Sequence, residues 1–235
     1  MLLDTSFDFR TDANGKDPDS YSPTLRRYHR VLLSRPLPDG ALFDLDDETP
    51  HAYLHHRSEL GEFWLASDSA IQTFTRWIAL NPITEQFPAE ENEEFRTIAY
   101  TIGGMMVFPG NVVDGKQTLN GARGFRRKIA DRMDLTLECI RRHYVGQTSP
   151  LADTLTRYDD FFALFEDFQG HVDFFLLQDL VVDDYTAVRF FMPFDDFMTP
   201  SVPKGVDTYG EYRRLSIEFV EARNRRIDRL NLHAG

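Results

Sequence analysis

The sequence predicts a helix-rich α+β fold, on three observations. The N-terminal third holds short strand-like runs separated by turn residues. Most of the remaining chain repeats its apolar residues at helical spacing. No internal repeat and no long linker interrupts the chain, so residues 1–235 read as a single domain. A chain of this length can bury a substantial core without disulfide or metal staples. Its 42% hydrophobic content, including 20 Phe, supplies one.

Residues 1–24 read as irregular, because DANGKDPDSYSP is dense in Asp, Gly, Pro and Ser. Lys16 stands where a calcium loop would place a ligand, so a surface turn is expected there. Residues 28–45 read as two extended segments about Pro38-Asp39-Gly40. If LRRYHR (25–30) is extended too, Arg26, Tyr28 and Arg30 share one face. Residues 52–58 and 62–67 read as a second strand pair about Glu59-Leu60-Gly61. Ser67 then caps a helix near 68–80, which Asn81-Pro82 stops. These short antiparallel strands make up the β part of the fold.

Pro88 opens a helix whose first turn is rich in glutamate, which suits the helix dipole; it runs to about Gly103-Gly104. MMVFPGNVVDGK is a strand or loop. A helix over 127–144 puts Ile129, Met133, Leu137, Ile140 and Tyr144 toward the core, with Asp131, Asp134 and Glu138 opposite. Leu151, Leu155, Tyr158, Phe162 and Phe165 form one helical stripe. Residues 187–194 read as a strand or a short buried segment, and a last helix spans about 209–230.

Charge and cysteine usage bound the function. With 26 Lys+Arg against 38 Asp+Glu the net charge is −12, which disfavours non-specific adhesion to nucleic acid or anionic lipid. The single Cys139 excludes an internal disulfide and a multi-cysteine zinc site, and suits a reducing cytoplasm. The N-terminus has no basic region or long apolar run, so no signal peptide is expected. The most apolar stretch, VDFFLLQDLVV, is too short and too polar to span a bilayer. The expectation is a soluble, cytoplasmic protein with no membrane partner.

The sharpest local feature is NGARGFRRKIADR (120–132), where Arg123, Arg126, Arg127, Lys128 and Arg132 face one acid, Asp131. Helical pairs such as Arg127 with Asp131 absorb part of this charge at ~0.2–0.5 kcal/mol each. In the structural reading, the other arginines pair with acids elsewhere. In the functional reading, Asn120, Arg123, Arg126 and Arg132 form an anion site at the start of the 127–144 helix, approached through Gly121 and Gly124. Free N–H groups, the helix dipole and arginine forks all suit a phosphate or carboxylate. No P-loop or dinucleotide fingerprint accompanies the run.

Other chemistry is sparser. His55 and His56 fall on opposite faces of one strand, with no third ligand at metal spacing, so no metal site is expected. His56 and His143 are the candidate proton carriers. Asp173 and Asp179, beside the apolar run, need cationic partners, which the 120–132 arginines could supply. The arginines of EARNRRIDR (221–229) read as a solvated helix face. No cofactor is expected.

The blocks DPDSYSPTLRRYHRVLLSRPLP, SELGEFWLASDS, YTIGGMMVFPG, TLNGARGFRRKIADRMDLTLECIRRHY and DFFLLQDLV resemble an uncharacterised bacterial family, a domain of unknown function, over most of residues 10–195. The resemblance implies a bacterial, cytoplasmic, single-domain protein and supplies no activity. Two functions remain. One is binding or processing of a phosphate-bearing ligand, a nucleotide or a nucleic-acid end, through the arginine-rich run. The other is a non-catalytic interaction or homo-oligomeric module, meeting its partner through an aromatic patch around Phe190, Phe191 and Phe194.

Overall fold

The computed structural model describes residues 2–125 and 128–233. The fold is helix-rich α+β, with a three-stranded antiparallel sheet in the order β1-β2-β3. Strand β1 (Leu54–Ser58) and β2 (Gly61–Ser69) form the expected hairpin, closing from Leu54 opposite Leu65 to Ser58 opposite Gly61. Alternation turns Phe63, Leu65 and Ser67 inward along β2. Strand β3 (Met105–Pro109) pairs on the other side of β2 and is buried throughout.

That pairing overturns the helix expected over 68–80. Ser67, Asp68 and Ser69 lie opposite Val107, Met106 and Met105, so their backbone is committed to the sheet. Ser67 caps nothing; the chain continues as a loop, a 3₁₀ turn at Ile78–Leu80 and the short helix α3 (Asn81–Thr84).

The N-terminal segment is also more helical than expected. Asp17 caps α1 (Pro18–Tyr21), and the Ser22 hydroxyl accepts the Leu25 N–H at 3.0 Å to cap α2 (Pro23–Leu33). Leu25, Tyr28, His29, Leu32 and Leu33 form its buried face, a helical spacing in place of the expected extended segment. Arg26, Tyr28 and Arg30 therefore do not line one strand face: Arg26 holds the Tyr53 and Ala52 carbonyls, Tyr28 is buried, and Arg30 pairs with Asp47. Of the hairpin expected over 28–45, one bridge between Pro36 and Leu42 remains.

Helix α4 (Ala89–Ala99) begins after Pro88 as expected and ends earlier, at Tyr100. The 127–144 helix is replaced by α5 (Leu119–Phe125) and α6 (Met133–Tyr144). Ala130 and Asp131 between them are left-handed (φ 53° and 54°), and Met133 N–H donates to the Ala70 carbonyl at 3.0 Å, outside any helix. Asp134 and Glu138, expected opposite the core face, are buried. The Leu151–Phe165 stripe is all buried but is broken between two short helices, α7 (Ala152–Thr156) holding Leu155 and α8 (Asp159–Ala163) holding Phe162, with Leu151, Tyr158 and Phe165 at or beyond their ends. Helix α9 (Phe168–Phe175) comes next. Residues 187–194 form no strand, only a bridge from Val188 to Val181.

The last helix, α10 (Val206–Arg229), packs on α4 and on the 3₁₀ turn Ile102–Gly104. Arg223 of this helix is buried and donates to the carbonyls of Ile102, Gly103, Met105 and Phe175. Burial pulls its guanidinium down to about 9. The expected solvated face thus hides an internal tie. The buried apolar residues form one connected cluster from Leu3 to Ile227. Among the described residues no helix is long and apolar enough to cross a membrane.

Candidate functional site

Arg123 sits in the last turn of α5, fully buried. Its Nη1 pairs with Asp68 and its Nε donates to Thr136 Oγ1 at 2.8 Å. Its Nη2 donates to the Ser69 and Asp131 carbonyls at 3.1 Å each, and the guanidinium lies over the Phe108 ring. Asn120 of the same helix donates to the Ser67 carbonyl at 2.7 Å. Both residues therefore grip the end of β2 from within α5, and the next helix, α6, starts at Met133, away from them. Arg126 lies outside the described residues.

Arg132 is separate from this group. It forks onto Asp134, with both side chains buried, and donates to the Ser201 carbonyl at 3.3 Å. It lines a different cavity of ≈ 460 Å³, together with Phe194, Met198, Ser201, Lys204 and Thr208 among others. The acids expected to meet the run have other partners: Asp179 pairs with Arg226, and Asp173 accepts from Gln178 and Tyr185.

The outer side of the Arg123 cluster faces a polar cavity of ≈ 280 Å³. Four carboxyl groups line it: Asp17, Asp19, Asp68 and Asp131. Their placement is set by local structure. Asp17-Pro18 starts α1 and sets Asp19 against β2, where the Ser67 hydroxyl donates to it at 2.9 Å. Asp68 is next to Ser67 on the strand. Asp131 comes from the left-handed turn between α5 and α6 and packs against Gly124, where a Cβ would stand 3.0 Å from both carboxylate oxygens.

Cations share the same cavity. Arg10 forks onto Asp8 and reaches Glu93 at 2.9 Å, and Arg96 pairs with Glu93. Arg76 is exposed at the cavity with no ion-pair partner among the described residues. Trp77 and Tyr100 add aromatic walls.

Burial pushes Asp19 up to about 7, aided by the charge of Asp68. Burial also raises Asp68 and Asp131, against the pull of Arg123 on both. Three sheltered carboxyls thus share one buried guanidinium. Arg10 and Arg96 at the cavity are engaged by Asp8 and Glu93, so burial and mutual repulsion disfavour ionisation of all three together.

Neither candidate histidine reaches this cavity. His56 has both ring nitrogens engaged, with the Asp44 carbonyl at 2.6 Å and the Ser58 hydroxyl at 2.8 Å, and its ring packs on Phe43. His143 faces Asp159 at 3.1 Å on the outer side of α6. His55 and His56 are both buried, although strand alternation separates them. Phe191 is buried against Tyr212 and Phe219, while Phe190 and Phe194 stack on each other, half-buried. Burial pushes the Cys139 thiol up to about 12. Among the described residues no group of three His, Cys, Asp or Glu is arranged to hold a metal ion.

The sequence singles out Asn120 and Arg123, which lie behind the cavity, and not Asp19 and Asp68, which line it. The signals for these were the Asp17-Pro18 helix start and the polar Ser67-Asp68-Ser69 end of a strand. No curated protein matches the chain. No solved structure matches it either. A family model spans residues 3–227, and the chain belongs to that family, described as a family of unknown function (DUF6994).

Proposed function

We propose that the protein binds a phosphate-bearing small molecule, a nucleotide in particular, in the cavity between Asp19, Asp68 and Arg76. One observation carries this reading: a single cavity is lined by sheltered carboxyls, aromatic walls and an arginine with no ion-pair partner among the described residues. Arg76 suits the phosphate, Trp77 and Tyr100 the base, and the carboxyls its hydroxyl and amino donors. At ≈ 280 Å³ the cavity lies just below the usual span of ligand pockets, roughly 300–1,000 Å³. That size favours a mononucleotide over a nucleic-acid end, as does the net charge of −12. Arg123 and Asn120 support the site from behind. A cytoplasmic, bacterial setting, where nucleotides are abundant, fits this reading.

The test is a thermal-shift and calorimetric screen against AMP, GMP, CMP, UMP and inorganic phosphate. A ligand at 100 times its Kd adds ~2.7 kcal/mol of apparent stability. Arg76→Ala, at an exposed site, should leave the fold intact and weaken nucleotide binding about 10-fold or more, since a hydrogen bond to a charged group contributes ~1.5–3 kcal/mol. Absence of any shift, or unchanged affinity in Arg76→Ala, defeats the reading.

A further inference from the structure

We infer that this cavity is catalytic as well as binding, and that Asp19 and Asp68 together hydrolyse the N-glycosidic bond of a bound nucleotide; this rests on the phosphate-ligand reading above. The geometry gives the two carboxyls unlike roles. Asp68 meets the Arg123 guanidinium and the Ser69 N–H at 2.9 Å, both of which favour the carboxylate. Among the described residues the Asp19 carboxyl accepts a hydrogen bond only from the neutral Ser67 hydroxyl, and it faces the Asp68 charge. Asp19 is therefore the member that keeps a proton. A protonated carboxyl beside an ionised one is the arrangement that glycosidic cleavage uses.

The distribution of charge selects this bond over phosphoryl transfer. Asp19, Asp68 and Asp131 are sheltered, whereas Arg76 is exposed. The phosphate is thereby drawn to the mouth and the sugar toward the acids. Arg10 and Arg96 are engaged by Asp8 and Glu93, so Asp19, Asp68 and Asp131 face one buried guanidinium, which favours a reacting centre that becomes positive, as an anomeric carbon does. A transferring phosphoryl group needs cations around it instead.

The step balances with water as the only co-reactant. The bond from the anomeric carbon to the base nitrogen breaks, its electron pair goes to nitrogen, and nitrogen takes the proton of Asp19. The oxygen of water bonds to the anomeric carbon and gives a proton to Asp68. Asp68 then loses a proton to solvent and Asp19 regains one, leaving free base and a sugar phosphate. Arg123, buried behind Asp68, is a positioning residue that holds that carboxylate ionised and aimed.

The full-length protein is incubated with AMP, GMP, CMP and UMP. Free base is followed by chromatography, and binding by calorimetry on the same panel. Base release from at least one nucleotide is expected. Asp19→Asn should lower the rate ~10²–10⁴-fold with binding retained and Tm no lower than the parent's. The parent rate should fall on the alkaline side as Asp19 ionises. Asp68→Glu keeps a partner for Arg123 but displaces the carboxylate, so its rate should fall at unchanged Tm. Binding without base release overturns the catalytic inference and leaves the ligand reading standing; absence of binding overturns both. A parent-like rate in Asp19→Asn removes the general acid, and one in Asp68→Glu removes its partner.

Discussion

Burial moves Asp19 and His171 in opposite directions, and their effects on stability have opposite signs. Asp19 is raised from 3.8 to about 7, so between those values the folded chain binds more protons than the unfolded one. Its contribution is full at low pH and is lost as pH rises through about 7. Asp19→Asn removes that slope. The variant should match the parent in acid and exceed it in stability at about pH 8, read as urea midpoints across pH. His171 sits among Tyr144, Phe162, Phe165 and Phe175 with neither ring nitrogen hydrogen-bonded among the described residues, and burial pulls it from 6.5 to about 3. Here the unfolded chain binds more protons, so stability present above 6.5 is lost as pH falls toward 3. His171→Phe should blunt the acid loss, and it removes a buried group whose missing hydrogen bonds cost ~1–3 kcal/mol. A parent-like acid limb in that variant would show that His171 is not buried neutral.

At the scale of elements, legibility depended on how local the determinants are. The β1–β2 hairpin was readable because alternation and the Glu59-Leu60 turn lie within one stretch of chain. Helix α4 was readable because Pro88 and its glutamates mark the start locally. Helix α2 was misread because its Tyr28 and Val31 suit strands, although Ser22-Pro23 carried a cap signal. The 127–144 helix was misplaced at its start because the Ala70 carbonyl, distant in sequence, takes the Met133 N–H. The site was half legible for the same reason. Arg123 stands out in its run, but its partner Asp68 is visible only once β2 has met α5. The junction of α10 with the Ile102–Gly104 turn gives the sharpest element-scale test. A Cβ on Gly103 would lie 2.4 Å from the Val220 carbonyl oxygen, and Gly103 N–H donates to Asn224 at 2.7 Å. Gly103→Ala must push α10 away and disturb the carbonyls that hold Arg223. Overpacking of this kind typically costs ~1–3 kcal/mol, and the disturbed Arg223 site adds to it. A urea midpoint equal to the parent's would mean that α10 docks less tightly than these contacts require.

The whole molecule is tied across its sequence rather than along it. Leu2 bridges His233, and Thr5 bonds Asp228, so the two ends of the described chain meet. Arg223 near the C-terminus holds carbonyls beside β3 and at the end of α9, and Tyr209 and Tyr212 donate to the loop after β2. With α10 removed, these carbonyls lose their donors and the faces of α4 and the 102–104 turn are bared. Among the described residues the buried apolar side chains form one connected cluster. Chains above roughly 150 residues often unfold in stages, so cooperativity here is a consequence of this connectivity and not a default. Urea unfolding monitored by Trp fluorescence and by far-ultraviolet circular dichroism should give coincident transitions. Trp64 on β2 and Trp77 beyond it report the sheet side, while the dichroism is dominated by the helices. Limited proteolysis should release no stable fragment, and a chain ending before Val206 should not fold. Separate transitions from the two probes, or a folded fragment lacking α10, would divide the molecule into two units.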